Sequence, residues 1–364
     1  MYPNRPESSP SSTLGLQDLV LSSDEGGGGS AGSQLGLEQP PRDDDCGGDD
    51  PSPYSAALST LELEMKNLEL IHHFTTATYA TLSTEGDARE VWRMVIPRIA
   101  FSHEFVMHAL LAMSALHLSF LKPTDKSYAV VAARHHVNAL GLLRTAFSEL
   151  RPQLGDALYA ASSLTAMYVY ACPPVVDGML PKAPTWIPVF RGILTTVQQC
   201  WDWVQRGELA PLSTRKEIDR SRYAGEDTKF PSSLYDLSRR GAPGEPDPKE
   251  LEDDDVLVIY RNATEALKVS WDDFQSFDPR VAAAFRWPVN LSDEFAHFIK
   301  EQRPRALVLL AHHCVMLELL EEQFWWVKGR GVDEIRRIES VLGEKWKRWL
   351  DWPMARCKIS KGAG

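Results

Sequence analysis

The run PRALVLLAHHCVMLELLEEQFWWVKGRG, from Pro304 to Gly331, decides the fold. From Ala306 to Trp326 it is apolar almost without break, and at helical spacing its apolar residues cover most of the circumference rather than one stripe. Such a helix must be covered on most sides, which places it in the interior of a helical domain. Pro304 stands where a first helical turn accepts proline. Five of the 11 Trp residues fall between Trp325 and Trp352, so the chain beyond the helix has apolar bulk enough to turn back over it.

Working outward, apolar residues from position 58 onward recur at helical spacing and hardly ever alternate, which predicts an all-α fold: a single large multi-helix domain over 58–353. Leu61, Met65, Leu68, Ile71, His72, Thr75 and Tyr79 share one face of a long first helix. Val91 to Ala100 is short and meets Pro97. Ser102 is placed to cap a helix that runs to Leu121 and stops before Pro123. Ser127 to Leu150 and Leu154 to Cys172 read as antiparallel neighbours. The proline-rich stretch to Pro188 reads as an extended crossing, followed by a helix from Val189 to Arg206. Further helices are predicted at Asp254 to Gln275, Ser292 to Gln302, Pro304 to Trp326 and Val332 to Leu350, about ten in all. Residues 207–250 are polar and long for a connection, which suggests a flexible insertion. Residues 354–364 read as a C-terminal tail.

Residues 1–57 have a different composition. Ten acidic residues face two basic ones there, so this segment carries eight of the eleven net negative charges, among Ser, Gly and Pro. It has too little apolar surface to offset its ordering entropy and is expected to be a disordered acidic tail, unsuited to gripping phosphate. Leu14, Leu16, Leu19, Val20 and Leu21 form an apolar island in it, of the kind that docks on partner proteins. No signal peptide is visible, and His312, His313 and Glu318 interrupt the longest apolar run short of a membrane span. Five scattered cysteines suit a reducing compartment, so the nucleus and cytoplasm are the expected location.

Two ordered blocks carry a resemblance. Near the C-terminus stand the Pro304–Gly331 run and EKWKRWLDWP at Glu344 to Pro353. Upstream stand LELIHHFTTATYATLS at Leu68 to Ser83, VWRMVIPRIAFSHEFVMHALLAMSALHL at Val91 to Leu118, and YAVVAARHHVNAL at Tyr128 to Leu140. Over residues 58–353 the chain resembles the regulatory domains of fungal zinc-cluster transcription factors of the sterol uptake control type. The resemblance implies a helical regulatory domain that encloses an apolar ligand, a sterol in the best-known members, near its C-terminal helices. It also implies self-association, or pairing with a full-length zinc-cluster relative. Members carry a six-cysteine zinc cluster in front. Cys46, Cys172, Cys200, Cys314 and Cys357 cannot build one, so direct nucleic-acid binding by these residues is not expected.

Other constellations point elsewhere and fall short. His72–His73, His103 with His108, His135–His136 and His312–His313 lack the i, i+4 spacing of a zinc helix, so no metal site is expected. One histidine of each adjacent pair should pack inside and the other face out. Asp253–Asp255 lacks the second acid of the magnesium-binding motif of helical terpene cyclases, and Asp272–Asp273 meets Arg280 where an acid should stand. No nucleotide loop or nucleophile elbow occurs, so no cofactor and no catalytic residue is assigned. Arg336, Arg337, Lys345, Lys347 and Arg348 are interleaved with acids and read as a solvated face.

What remains is the apolar inventory. Phe105, Met113, Leu116 and Phe120 on one helix, with Phe324, Trp325 and Trp326 at the end of another, are the expected lining of a hydrophobic pocket. Gly329 and Gly331 are the expected hinge that lets the Trp-rich end close over it. The expected function is a transcriptional regulator that senses a sterol-like hydrophobic molecule and forms a homodimer or a heterodimer. The alternative is a helical enzyme or lipid carrier for an isoprenoid-type substrate. Deleting residues 1–57 is expected to leave helical circular dichroism intact, and a collapse of that signal would show the tail to be part of the fold.

Overall fold

The computed structural model describes residues 53–84, 86–172, 184, 186–214, 216–218, 229–242, 245–278 and 280–359. Two compact units, Met1–Glu69 and Leu70–Gly364, divide the chain. In the first, the described residues are helical, with a Lys66–Glu69 ion pair and with Met65 and Leu68 exposed. The acidic tail expected over 1–57 lies largely outside the described residues, as do residues 173–183 and 185 of the extended crossing expected from Cys172 to Pro188, whose last three residues instead begin a helix.

The all-α expectation holds. Ten helices of eight residues or more are described: α1 (Pro53–Thr76), α2 (Glu104–Leu121), α3 (Ser127–Ser148), α4 (Gly155–Ala171), α5 (Trp186–Val204), α6 (Asp254–Ser276), α7 (Arg280–Val289), α8 (Asp293–Lys300), α9 (Pro304–Glu318) and α10 (Arg330–Val341). The strand content described is one two-residue antiparallel pair, β1 (Lys216–Glu217) with β2 (Phe277–Asp278).

In the second unit α9 is buried all round, as its sequence requires: every residue from Arg305 to Leu317 is buried. The helices α6, α7, α8 and α10 and the short helix Asp351–Arg356 surround it. Toward the N-terminal side, α2 packs against α3 and α4, and α4 against α5. By length and composition α2 is apolar enough to cross a membrane, and here Phe105, Val106, Leu110, Leu111 and Met113 are covered by protein.

Arg305 is the cation that α9 itself carries into this core, with its side chain 1% exposed. Its guanidinium donates to Glu245 Oε1 and Glu250 Oε2, each at 3.0 Å, and to the carbonyl oxygens of Leu237 and Asp247, and it lies over the Trp346 ring. The described residues of 232–242 and 245–251, which overlap the expected flexible insertion, are therefore fixed against α9, and Leu209, Leu234, Leu237 and Leu251 are fully buried. Three leucines within 207–250 and two acids answering a buried arginine need no helical period, so this packing leaves no periodic signal in the sequence. The expected tail after 353 is likewise packed as far as Ile359, with Met354 and Cys357 buried.

Other boundaries shift for local reasons. The helix from Pro304 stops at Glu318, not Trp326, because α10 crosses it there and the Glu321 carboxylate accepts the Gly329 N–H at 3.0 Å. The expected helix Val332–Leu350 breaks at Leu342 and Gly343 into α10 and short turns. His103, not Ser102, precedes α2. The buried face of α1 in the second unit is Leu70 and Phe74 rather than the stripe through His72, since this helix has apolar residues on two faces. Ser292 caps α8 by accepting from Phe295 N, and Asp253 caps α6 by accepting from Asp255 N and Val256 N.

Of the histidine pairs, His72 is exposed and His73 partly buried, and His135 is buried with His136 stacked on Tyr168. Both His312 and His313 are buried, against the expectation of one facing out, because one nitrogen of each ring finds a carbonyl, Nδ1 of His312 at Val308 O and Nε2 of His313 at Ala284 O, both at 2.8 Å.

Two predictions follow from this core. Arg305→Met leaves the buried Glu245 without an ion pair and Glu250 with only Arg303 at 3.8 Å, which should cost about 3–5 kcal/mol in urea denaturation. Adding Glu250→Gln should recover part of it, and a loss under about 1 kcal/mol would remove the ion network from the account.

The second concerns pH. Burial lowers His312 and His313 to about 4, as it does His117, His135 and His136. The unfolded chain then binds more protons than the folded one between the ordinary imidazole value and about 4, so stability is complete above that window and is lost as pH falls through it. Glu318 acts oppositely: burial, then Glu321, raise it to about 7, so its contribution is lost as pH rises. The melting temperature should fall between about pH 7.5 and pH 4.5, and more steeply in Glu318→Gln.

Candidate functional site

In the second unit a cavity of about 570 Å³ opens between α4, α5, α7 and the residues Leu82, Asp87 and Trp92, with Pro211, Leu212, Thr214 and Lys216 along one side. Its size falls in the range of small-molecule sites. Periodicity within each helix builds the walls. On α4, Tyr159, Ser163, Ala166 and Met167 lie at i, i+4, i+7 and i+8; on α7, Val281, Phe285 and Val289 lie at i, i+4 and i+8. Phe190 and Trp201 come from α5, Trp92 and Leu82 from the N-terminal side, and Pro211 and Leu212 from the packed connection.

The inner end is aromatic. Phe190 and Phe285 stack with centroids 4.9 Å apart, and Trp326 lies 5.8 Å from Phe285 at an interplanar angle of 23°. Tyr170 and Trp186 meet these rings edge-on. The indole N–H of Trp326 is buried with no acceptor among the described residues, a standing cost of about 1–3 kcal/mol. Charged groups gather at the mouth: Lys216 pairs with Asp87 at 3.0 Å, and Arg286 with Asp273.

The expected lining residues separate into distinct settings. Trp326 borders the cavity, with Phe324 beside it at 5.8 Å. Trp325, its neighbour on the turn Trp325–Val327, faces another group: its indole donates to Thr81 Oγ1 at 3.0 Å and its ring stacks on His117, with Phe120 5.3 Å away. Phe105 and Met113 are buried in α2, Leu116 is partly buried and Phe120 is 45% exposed; none of the four borders the cavity.

The two glycines also differ. Gly329 holds φ 74°, the left-handed region that favours glycine, with open space around it. Gly331 is a contact residue: a Cβ there would lie 2.6 Å from Cys314 O, so its role is the close approach of α10 to α9. The cavity residues missed by sequence reasoning, Phe285 and Tyr159 above all, had a signal in the i, i+4, i+8 stripes of their helices.

Other chemistry finds its groups already engaged. Asp272 pairs with Lys268, Asp273 with Arg286, and Asp253 caps α6; Arg280 is buried over the Phe274 ring. Burial pushes the Cys357 thiol up to about 12 and Cys314 well above its ordinary value, so neither supplies a thiolate. Among the described residues no group of three or more His, Cys, Asp or Glu is placed to hold a metal ion. A second depression, of about 600 Å³, is walled by Asp255, Asn262, Asn290 and Glu294 as much as by Val258 and Phe295, and is less suited to an apolar ligand.

Residues 69–202 match the fungal specific transcription factor domain. A Zn(2)-C6 fungal-type transcription factor of Gibberella zeae is 28% identical over 80% of this chain and 61% of its own length. Another, afumD of Aspergillus fumigatus, is 27% identical over 68% of this chain and 66% of its own. Sterol uptake control protein 2 of Saccharomyces cerevisiae is 32% identical over 40% of this chain and 16% of its own. The chain thus spans less than two thirds of the length of these curated relatives. Over residues 69–202 the chain is thus similar to the fungal specific transcription factor domain, and it is similar to Zn(2)-C6 fungal-type transcription factors, sterol uptake control proteins among them.

Proposed function

We propose that this chain is the regulatory part of a transcription regulator acting in the nucleus, and that its helical unit senses a hydrophobic small molecule. The observation that carries the reading is the aromatic inner end of the cavity, where Phe190, Phe285 and Trp326 offer flat apolar faces. The sterol uptake control relatives favour a sterol-like occupant.

Occupancy is passed on through the turn Trp325–Val327. Trp326 meets the occupant, while Trp325 is seated on His117 and beside the half-exposed Phe120. A shift of one ring changes the setting of the other, because the two share a three-residue turn. Phe120 and Leu121, 45% and 53% exposed, then stand where a second copy or a full-length zinc-cluster relative would bind.

Native mass spectrometry of the purified chain should find a hydrophobic ligand without turnover. Ergosterol at about 100 times its Kd should add about 2.7 kcal/mol of stability. If nothing co-purifies and sterols and related lipids leave the melting temperature unchanged, the sensor is wrong; a magnesium-dependent product from isoprenoid diphosphates would make the protein an enzyme instead. Trp325→Phe, which keeps the ring and loses the bond to Thr81, should alter association with a full-length relative and leave ligand affinity within about threefold. Equal association by both forms would sever the proposed link.

A further inference from the structure

The mouth of the cavity differs in kind from its inner end. Three charged side chains border the cavity, Asp87, Lys216 and Arg286, and two of them are cationic. Each cation is tied in a way that leaves it usable. Lys216 pairs with Asp87 at the surface, their side chains 46% and 76% exposed, and such pairs are weak and readily exchanged. Arg286 uses Nη1 on Asp273, while its Nε and Nη2 donors make no hydrogen bond among the described residues.

Position makes these cations part of the site. Arg286 follows Phe285 on α7, so the helix that supplies the aromatic wall also supplies the guanidinium. Lys216 is held by the β1–β2 ladder, opposite Asp278, two residues before α7 begins. Thr214 and Ser83 border the same cavity.

The balance of costs decides what head group fits. A neutral apolar molecule seated here strips water from Arg286 and Lys216 and returns at most a hydroxyl acceptor. A carboxylate returns two acceptor oxygens, matches the planar fork of an arginine, and makes charge-assisted bonds that are stronger in a partly dry site. Displacing Asp87 from Lys216 costs little, because Asp87 then faces water.

Given that the cavity is the ligand site, we propose that its ligand is an apolar carboxylic acid, its body against Phe190, Phe285 and Trp326 and its carboxylate between Arg286 and Lys216. Arg286 and Lys216 then determine specificity: they select acids over neutral alcohols of the same shape.

The test uses the full chain and two probes with one apolar body, 1-pyrenebutyrate and 1-pyrenebutanol, read by energy transfer from tryptophan, with ergosterol as a neutral competitor. At neutral pH the acid should bind about tenfold or more tighter than the alcohol. In Lys216→Gln, whose lost surface pair should not disturb folding, and in Arg286→Gln, the gap should close to about threefold or less while the alcohol binds as before. Equal binding of the two probes by the wild type, or a gap that survives both substitutions, overturns the acid selectivity. Ergosterol displacing the acid with higher affinity also overturns it, yet leaves the cavity a hydrophobic ligand site. If neither probe nor ergosterol binds, the cavity itself is not the site.

Discussion

A helix apolar on every side can exist in water only if something covers every side, and α9 imposes that demand on the rest of the chain. Its single cation, Arg305, sharpens the demand. A guanidinium taken out of water must be met on all its donors, and the groups that meet it, Glu245, Glu250 and the carbonyls of Leu237 and Asp247, come from a connection rather than from another helix. The connection is therefore part of the core, and it borders the cavity too, through Pro211 and Leu212.

The cavity sits at the edge of this packing. Around α9 the large side chains interlock, with Trp287 fully buried and stacked on His313, and Trp352 stacked on His312. Farther out, α7 turns Phe285 away from α9 toward α4 and α5, whose facing positions hold small residues such as Ser163 and Ala166. Big rings facing small side chains leave space between helices that close packing would otherwise fill.

What was legible in the sequence is what a single segment determines. The fully apolar run gave α9 its place, and the absence of alternation gave the fold class. What was not legible depends on a meeting of segments. The tryptophan-rich stretch promised a pocket, but aromatic density signals burial, and a vacancy is set by what the facing helices lack. Of the residues chosen from that density, Trp326 alone borders the cavity. The connection over 207–250 looked loose for the same reason: its anchoring partner, Arg305, lies more than fifty residues downstream.

Trp325 and Trp326 look alike in sequence, and their difference lies in backbone geometry. Had α9 continued to Trp326 as its composition suggested, the two indoles would stand about 100° apart on one rigid cylinder, each committed to a face of the same helix. Instead the helix ends at Glu318, where Gly331 lets α10 approach within contact of the Cys314 carbonyl, and the chain turns at Phe324. The indoles then sit on a short turn between two environments, one closed by the Thr81 hydroxyl and His117, the other beside a cavity with its N–H unmatched. A turn of three residues has few internal hydrogen bonds to hold it, so its position is set by these two contacts rather than by its own backbone. The turn thus lies between two side-chain environments, above the close packing of α9 and α10, and that placement is what the proposed coupling of ligand to partner rests on.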